Sequence, residues 1–88
     1  GLMAQSFLFG FNYLLVGEEK KFGFIVSKKI SKRAVDRNKI RRLLAEGVKK
    51  NMAEVKGGVF GIFLAKKALL GKKFEEVEKE VKEVFKKI

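Results

Sequence analysis

The sequence predicts an α+β domain, a small sheet packed against helices in two layers with the order β-β-α-β-α. Three observations carry this expectation. Residues 7–29 hold two short runs rich in aromatic and β-branched side chains, parted by Gly17-Glu18-Glu19-Lys20. Residues 31–50 repeat apolar side chains at a helical period among many cations. A second apolar run, Val59–Ala65, leads into an amphipathic terminal segment, 72–88. A length of 88 residues leaves room for one domain, 1–88.

The first strand is expected over 7–16, Phe-Leu-Phe-Gly-Phe-Asn-Tyr-Leu-Leu-Val. Successive strand residues point to opposite sides, so Phe7, Phe9, Phe11, Tyr13 and Leu15 share a face. Gly10 on the other face suits a bulge or a close approach. The polar break at 17–20 has hairpin length, so the next strand, 22–29, is expected to pair antiparallel with the first. Two readings of the aromatic row stand open. It is the core of a small sheet, the favoured reading, because Phe is usually buried. Alternatively Phe7, Phe9, Phe11 and Tyr13 form a platform on which unpaired bases stack.

The central helix begins between Ser31 and Asp36, each a suitable N-cap. Ile40, Leu43, Leu44, Val48 and Met52 make its buried stripe. At about 100° per residue, Asn38, Arg42 and Lys49 fall near one line on the polar side. Arg37 and Arg41 lie beside the stripe, where their stems pack while their guanidinium groups project. A merely solvated face usually interleaves Glu with Lys at i,i+4. Here only Asp36 and Glu46 interrupt the cations. Guanidinium forks match phosphate oxygens in two-point contacts. Val59–Ala65 follows as an interior strand, and its separation from 22–29 allows the two to be parallel neighbours. In 72–88, Phe74, Val77, Val81, Val84, Phe85 and Ile88 make a packing stripe, with acids at the first turn and lysines at the last.

The charge supports this division of labour. The net charge is +11. Lys20–Lys50 holds twelve Lys/Arg and two acids, whereas 72–88 holds six Lys and five Glu. A basic surface confined to one part of a chain is the footprint of nucleic-acid binding. With no His and no Cys, an ordinary catalytic triad or zinc site is excluded from this chain. The run Phe7–Val16 is shorter than the roughly 20 residues that span a bilayer, and no cationic stretch precedes it as in a signal peptide. No membrane role and a cytoplasmic location are expected. A basic amphipathic helix lying on a membrane is the rival from another class.

Phe22-Gly-Phe-Ile-Val-Ser-Lys-Lys, followed by Ala34-Val-Asp-Arg-Asn-Lys-Ile-Arg-Arg-Leu-Leu-Ala-Glu, resembles the bacterial ribonuclease P protein subunit. That family combines a Gly-hydrophobic-x-Val-Ser-Lys-Lys strand with a Val-x-Arg-Asn-Arg/Lys helix, and both blocks stand here in register. The resemblance spans roughly residues 7–88. It implies a fold like domain 2 of ribosomal protein S5, with a left-handed β-α-β crossover against the usual right-handed rule. It implies binding to the ribonuclease P RNA and help in removing the 5′ leader from precursor tRNA. The RNA and the Mg²⁺ it holds would perform the hydrolysis, and the protein alone would hold no cofactor. The family's RNA contacts fall on Arg37, Asn38, Lys39, Arg41 and Arg42, and on Ser27, Lys28 and Lys29 at the strand end. Lys66 stands where the family often has Arg. Lys32, Arg33 and Lys49 extend the same basic surface. Family members open with a basic segment, a helix and a further strand, none of which is expected here. That helix and the sheet form the leader cleft, so its lack would leave the aromatic sheet face open. Ala45 replaces a usual Arg, and Lys39 keeps a charge but loses the fork. An RNA chaperone or ribosome-associated protein on the same scaffold is the alternative function.

Overall fold

A computed structural model describes residues 1–88. Its strands are β1 (Leu2–Gln5), β2 (Phe9–Leu14), β3 (Lys20–Ile25) and β4 (Val59–Ala65); its helices are α1 (Ala34–Asn51) and α2 (Phe74–Lys87). The domain is thus α+β, with one four-stranded sheet in the order β1-β2-β4-β3. β1 and β4 each pair antiparallel with β2, while β3 runs parallel to β4.

Two expectations are corrected here. The further strand expected to be missing is present as β1, which forms a hairpin with β2 through residues 6–8. The antiparallel hairpin expected between β2 and β3 does not form, because β4 lies between them. A nearly continuous apolar run favours the centre of a sheet, and β4 is the strand paired along both edges. The 15–19 connection instead arches over the start of β4. There the Gly58 N–H donates to the Gly17 carbonyl (3.0 Å) and the Val59 N–H to the Glu19 carbonyl (2.9 Å). A Cβ on Gly58 would collide with the Val16 carbonyl oxygen. Glycine is required at this crossing by space, and at Gly17 by its φ of 61°.

Strand register explains the core. Ala4, Phe11, Phe63 and Phe24 stand opposite one another across the four strands and face the helices. Phe11 and Phe63 have ring centroids 4.4 Å apart, and Phe85 of α2 closes over Phe11 at 5.9 Å. Gly61, next in the ladder, leaves room for the Phe11 ring. From α2, Val77, Val81, Val84 and Phe85 are buried, as the periodicity predicts. The Glu76 carboxylate accepts the Lys73 N–H (3.1 Å), closing the start of this helix.

Phe9 and Phe11 are fully buried in this layer, and Tyr13 is half-buried with its ring stacked on Phe11 at 5.2 Å. Phe7 lies in the 6–8 bend, outside β2, and is 75% exposed. The platform reading therefore fails for Phe9 and Phe11: a ring needed by the core has no face left for a base. The sheet does have an open side, but it is the opposite one. Met3, Leu14, Ile25, Phe60 and Ile62 lie there, each exposed.

Candidate nucleic-acid interface

The basic surface is built from the end of β3 through the first half of α1. Val26 and Ile30 are buried anchors, and between them Ser27, Lys28 and Lys29 are held out in a turn closed by the Ile30 N–H on the Ser27 carbonyl (3.0 Å). Parallel pairing sets Ile25 opposite Leu64, so this turn and Lys66 leave the sheet at the same end.

Ser31 joins the loop to the helix. Its hydroxyl donates to Asp36 Oδ2 (2.9 Å) and accepts the Arg33 N–H (3.2 Å). Its carbonyl accepts from Arg37 Nη1 (2.9 Å). The residue at the N-cap position is Arg33, with no side-chain cap. Ser31 and Asp36 therefore bond each other rather than capping the helix, a correction to the sequence reading. Lys32 and Arg33 are exposed in this loop.

Along α1, Ile40, Leu44, Gly47, Val48 and Asn51 face the interior. Leu43 and Met52, expected in this stripe, are half-buried at its margin. Asn38, Arg42 and Lys49 are exposed on the opposite side. Arg37 and Arg41 are half-buried at the margin, where Arg41 Nη1 donates to Asn38 Oδ1 (2.8 Å). Val35, Asn38, Arg41 and Arg42 line one shallow open cleft. The molecule has two ion pairs, Lys21–Glu19 at 3.4 Å and Arg33–Asp36 at 4.0 Å. The guanidinium groups of Arg37, Arg41 and Arg42 thus have no carboxylate partner and keep their charge for an external anion.

Not every candidate joins this surface on equal terms. Lys39 turns away from the Asn38–Arg42–Lys49 line and borders a groove against the β4–α2 connection. Lys66 is exposed, but its Nζ donates to the Ser6 carbonyl (2.8 Å), tying the 6–8 bend to the end of β4. Lys49 lies two turns beyond Arg42, about 10 Å along the axis.

The sequence reading missed the contact that orients α1. Asn51 is a buried polar residue whose Nδ2 donates to the Gly47 carbonyl (2.9 Å) and to Glu78 Oε2 of α2 (3.0 Å). Gly47 lets α2 approach so closely that an added Cβ would stand 3.3 Å from Val81. The signal was present in the i, i+4 placement of Gly47 and Asn51 on the apolar side. Lys20 secures the far end of α1, its Nζ donating to the Met52 carbonyl (3.1 Å), where a cation suits the negative helix terminus.

A sequence model of the family described as Ribonuclease P matches residues 4–88. The chain is 39% identical over 67 residues to the ribonuclease P protein component of Clostridium perfringens, covering 76% of this chain and 53% of that one. It is 33% identical over 76 residues to the protein component of Clostridium acetobutylicum, covering 86% and 62%. The chain thus spans roughly half to two thirds of the length of these relatives. Among solved structures, the RNase P protein from Thermotoga maritima superposes with a TM-score of 0.90 at 22% identity, covering 100% of this chain and 84% of that one. The RNase P protein of Staphylococcus aureus gives 0.83 at 23% identity, covering 98% and 79%. These likenesses extend over all four strands and both helices of the fold.

Proposed function

Because the chain belongs to the ribonuclease P protein family, we propose that it binds the ribonuclease P RNA along α1 and assists that RNA in removing the 5′ leader from precursor tRNA. The observation that supports this most directly is that the guanidinium groups of Arg37, Arg41 and Arg42 on α1 have no carboxylate partner. They stand on a helix whose other side is fastened into the core. In this reading Ser27, Lys28, Lys29, Lys32 and Arg33 extend the contact at the start of the helix, and Lys49 continues it along the axis. Phosphate contacts of this kind position a protein on RNA and carry most of the salt-dependent affinity.

No group of three or more His, Cys, Asp or Glu side chains comes together to hold a metal ion. In the reading proposed here the Mg²⁺, and with it the hydrolysis, belong to the partner RNA. No helix is long and apolar enough to cross a membrane. A cytoplasmic location, where precursor tRNA is processed in bacteria, follows from this reading.

Reconstitution tests it. Added to ribonuclease P RNA, the protein is expected to raise the rate of precursor tRNA cleavage at low Mg²⁺. An unchanged rate together with an unchanged Mg²⁺ requirement would remove the assignment and leave a general RNA-binding role.

The leader is assigned to the outward sheet face in place of the buried Phe9 and Phe11. Phe60 is 45% exposed there, with the Lys21 ammonium 5.8 Å from its ring centroid. An exposed ring with a cation beside it suits an unpaired base and its phosphate. Phe60→Ala is expected to weaken binding of leader-bearing precursor tRNA by about 1–3 kcal/mol. Binding of mature tRNA should stay the same. Equal losses for both substrates would place the leader elsewhere.

A further inference from the structure

A groove separates the first turns of α1 from the β4–α2 connection. Its volume is ≈260 Å³, below the roughly 300–1,000 Å³ of pockets for drug-sized ligands. The floor is apolar, with Ile40 2% and Leu69 0% exposed, and Leu70 forms an exposed wall at 42%. Two lysines also line the groove, Lys39 from α1 and Lys72 from the β4–α2 connection. Neither ammonium makes a hydrogen bond, and neither is among the ion-paired groups. Asp36 also lines the groove, with Oδ2 bonded to Ser31 and Oδ1 free of any hydrogen bond.

These parts describe one kind of ligand. An apolar slot between two free cations suits a small flat apolar body that carries anions on both sides. A free carboxylate oxygen suits a body whose edge offers an N–H. One residue of a nucleic-acid strand has all three features: a base, a phosphate on either side and, on cytosine, adenine or guanine, an amino group. We propose that this groove takes a single unstacked nucleobase of the RNA bound along α1. Lys39 and Lys72 meet its flanking phosphates, and Asp36 accepts from its amino edge. The inference rests on the RNA-binding reading of α1 and adds to it a site with base preference. Carboxylates accept from the cytosine amino group, and uracil presents a carbonyl at that position. An amino-bearing base is therefore preferred over uracil.

The test uses the 88-residue chain with oligocytidylate and oligouridylate of equal length, which carry equal charge. Oligocytidylate is expected to bind about tenfold more tightly, the low end for one hydrogen bond to a charged acceptor. Amide shifts in its NMR titration should include Leu69–Lys72 as well as α1. Asp36→Asn should abolish the preference, because an amide offers both a donor and an acceptor. Leu70→Trp, at an exposed position, should fill the groove and weaken both oligomers. Equal binding of the two oligomers by the unsubstituted chain, with shifts on α1 and none at 69–72, would overturn the inference while leaving RNA binding by α1 intact. Failure of the chain to bind ribonuclease P RNA would instead remove the proposed function. The oligomer comparison would still decide the groove.

Discussion

Phe63→Ala is expected to lower the unfolding free energy by about 3–5 kcal/mol, the usual range for removing a buried aromatic ring. Phe63 lies on the central strand with no exposed surface. Its ring meets Phe9 at 5.0 Å, Phe11 at 4.4 Å, Phe24 at 5.5 Å and Phe85 at 6.2 Å. Removing it opens a hole bounded by side chains from β2, β3 and α2. None of them can move into the space without abandoning its other neighbours. Typical domains have only about 5–15 kcal/mol in total, and an 88-residue chain has a modest core. The variant should therefore unfold at much lower denaturant concentration than the parent. Phe60→Ala is the matched comparison: the same residue type on the same strand, but 45% exposed on the outward side. Equal midpoints for the two variants would mean that the sheet buries its other face.

The same pair of phenylalanines shows where sequence reading works and where it stops. In Val59–Ala65 the apolar run marks an interior strand, and the observed strand has those bounds. It does not mark which face is covered, because both faces of the run are apolar. The alternation in β2 does so, and its aromatic side is the core side. Strand order was not legible. Gly17-Glu18-Glu19-Lys20 has the composition of a hairpin turn, yet its carbonyls receive N–H groups from Gly58 and Val59, far along the chain. β1 is not legible either, because a four-residue edge strand carries too little alternation to stand out. On α1 the helical period was enough to place Asn38, Arg42 and Lys49 on the side opposite Ile40, Leu44 and Val48. The same period could not show that Lys39 borders a second groove, since the other wall of that groove comes from residues 69–72.

Replacing both Arg42 and Lys49 with alanine is expected to weaken binding to ribonuclease P RNA by about tenfold or more for each phosphate left without its cation. The dependence of log affinity on log salt should also flatten, by about 0.7–0.9 for each such phosphate. These two residues give the clean experiment because neither side chain bonds within the protein and both are exposed. Their removal subtracts charge and leaves the fold alone, so the thermal midpoint should scarcely move. Arg37 is different. Its guanidinium also holds the Ser31 carbonyl, so Arg37→Ala should both weaken binding and loosen the 31–33 loop. Lys86→Ala is the control for bulk charge: it removes one cation from the last turn of α2, outside the basic surface. If it flattened the salt dependence as much as Arg42→Ala, the RNA would be responding to the net charge of +11 rather than to α1. A slope that falls only for the α1 variants, with the domain still folded, places the polyanion along this helix.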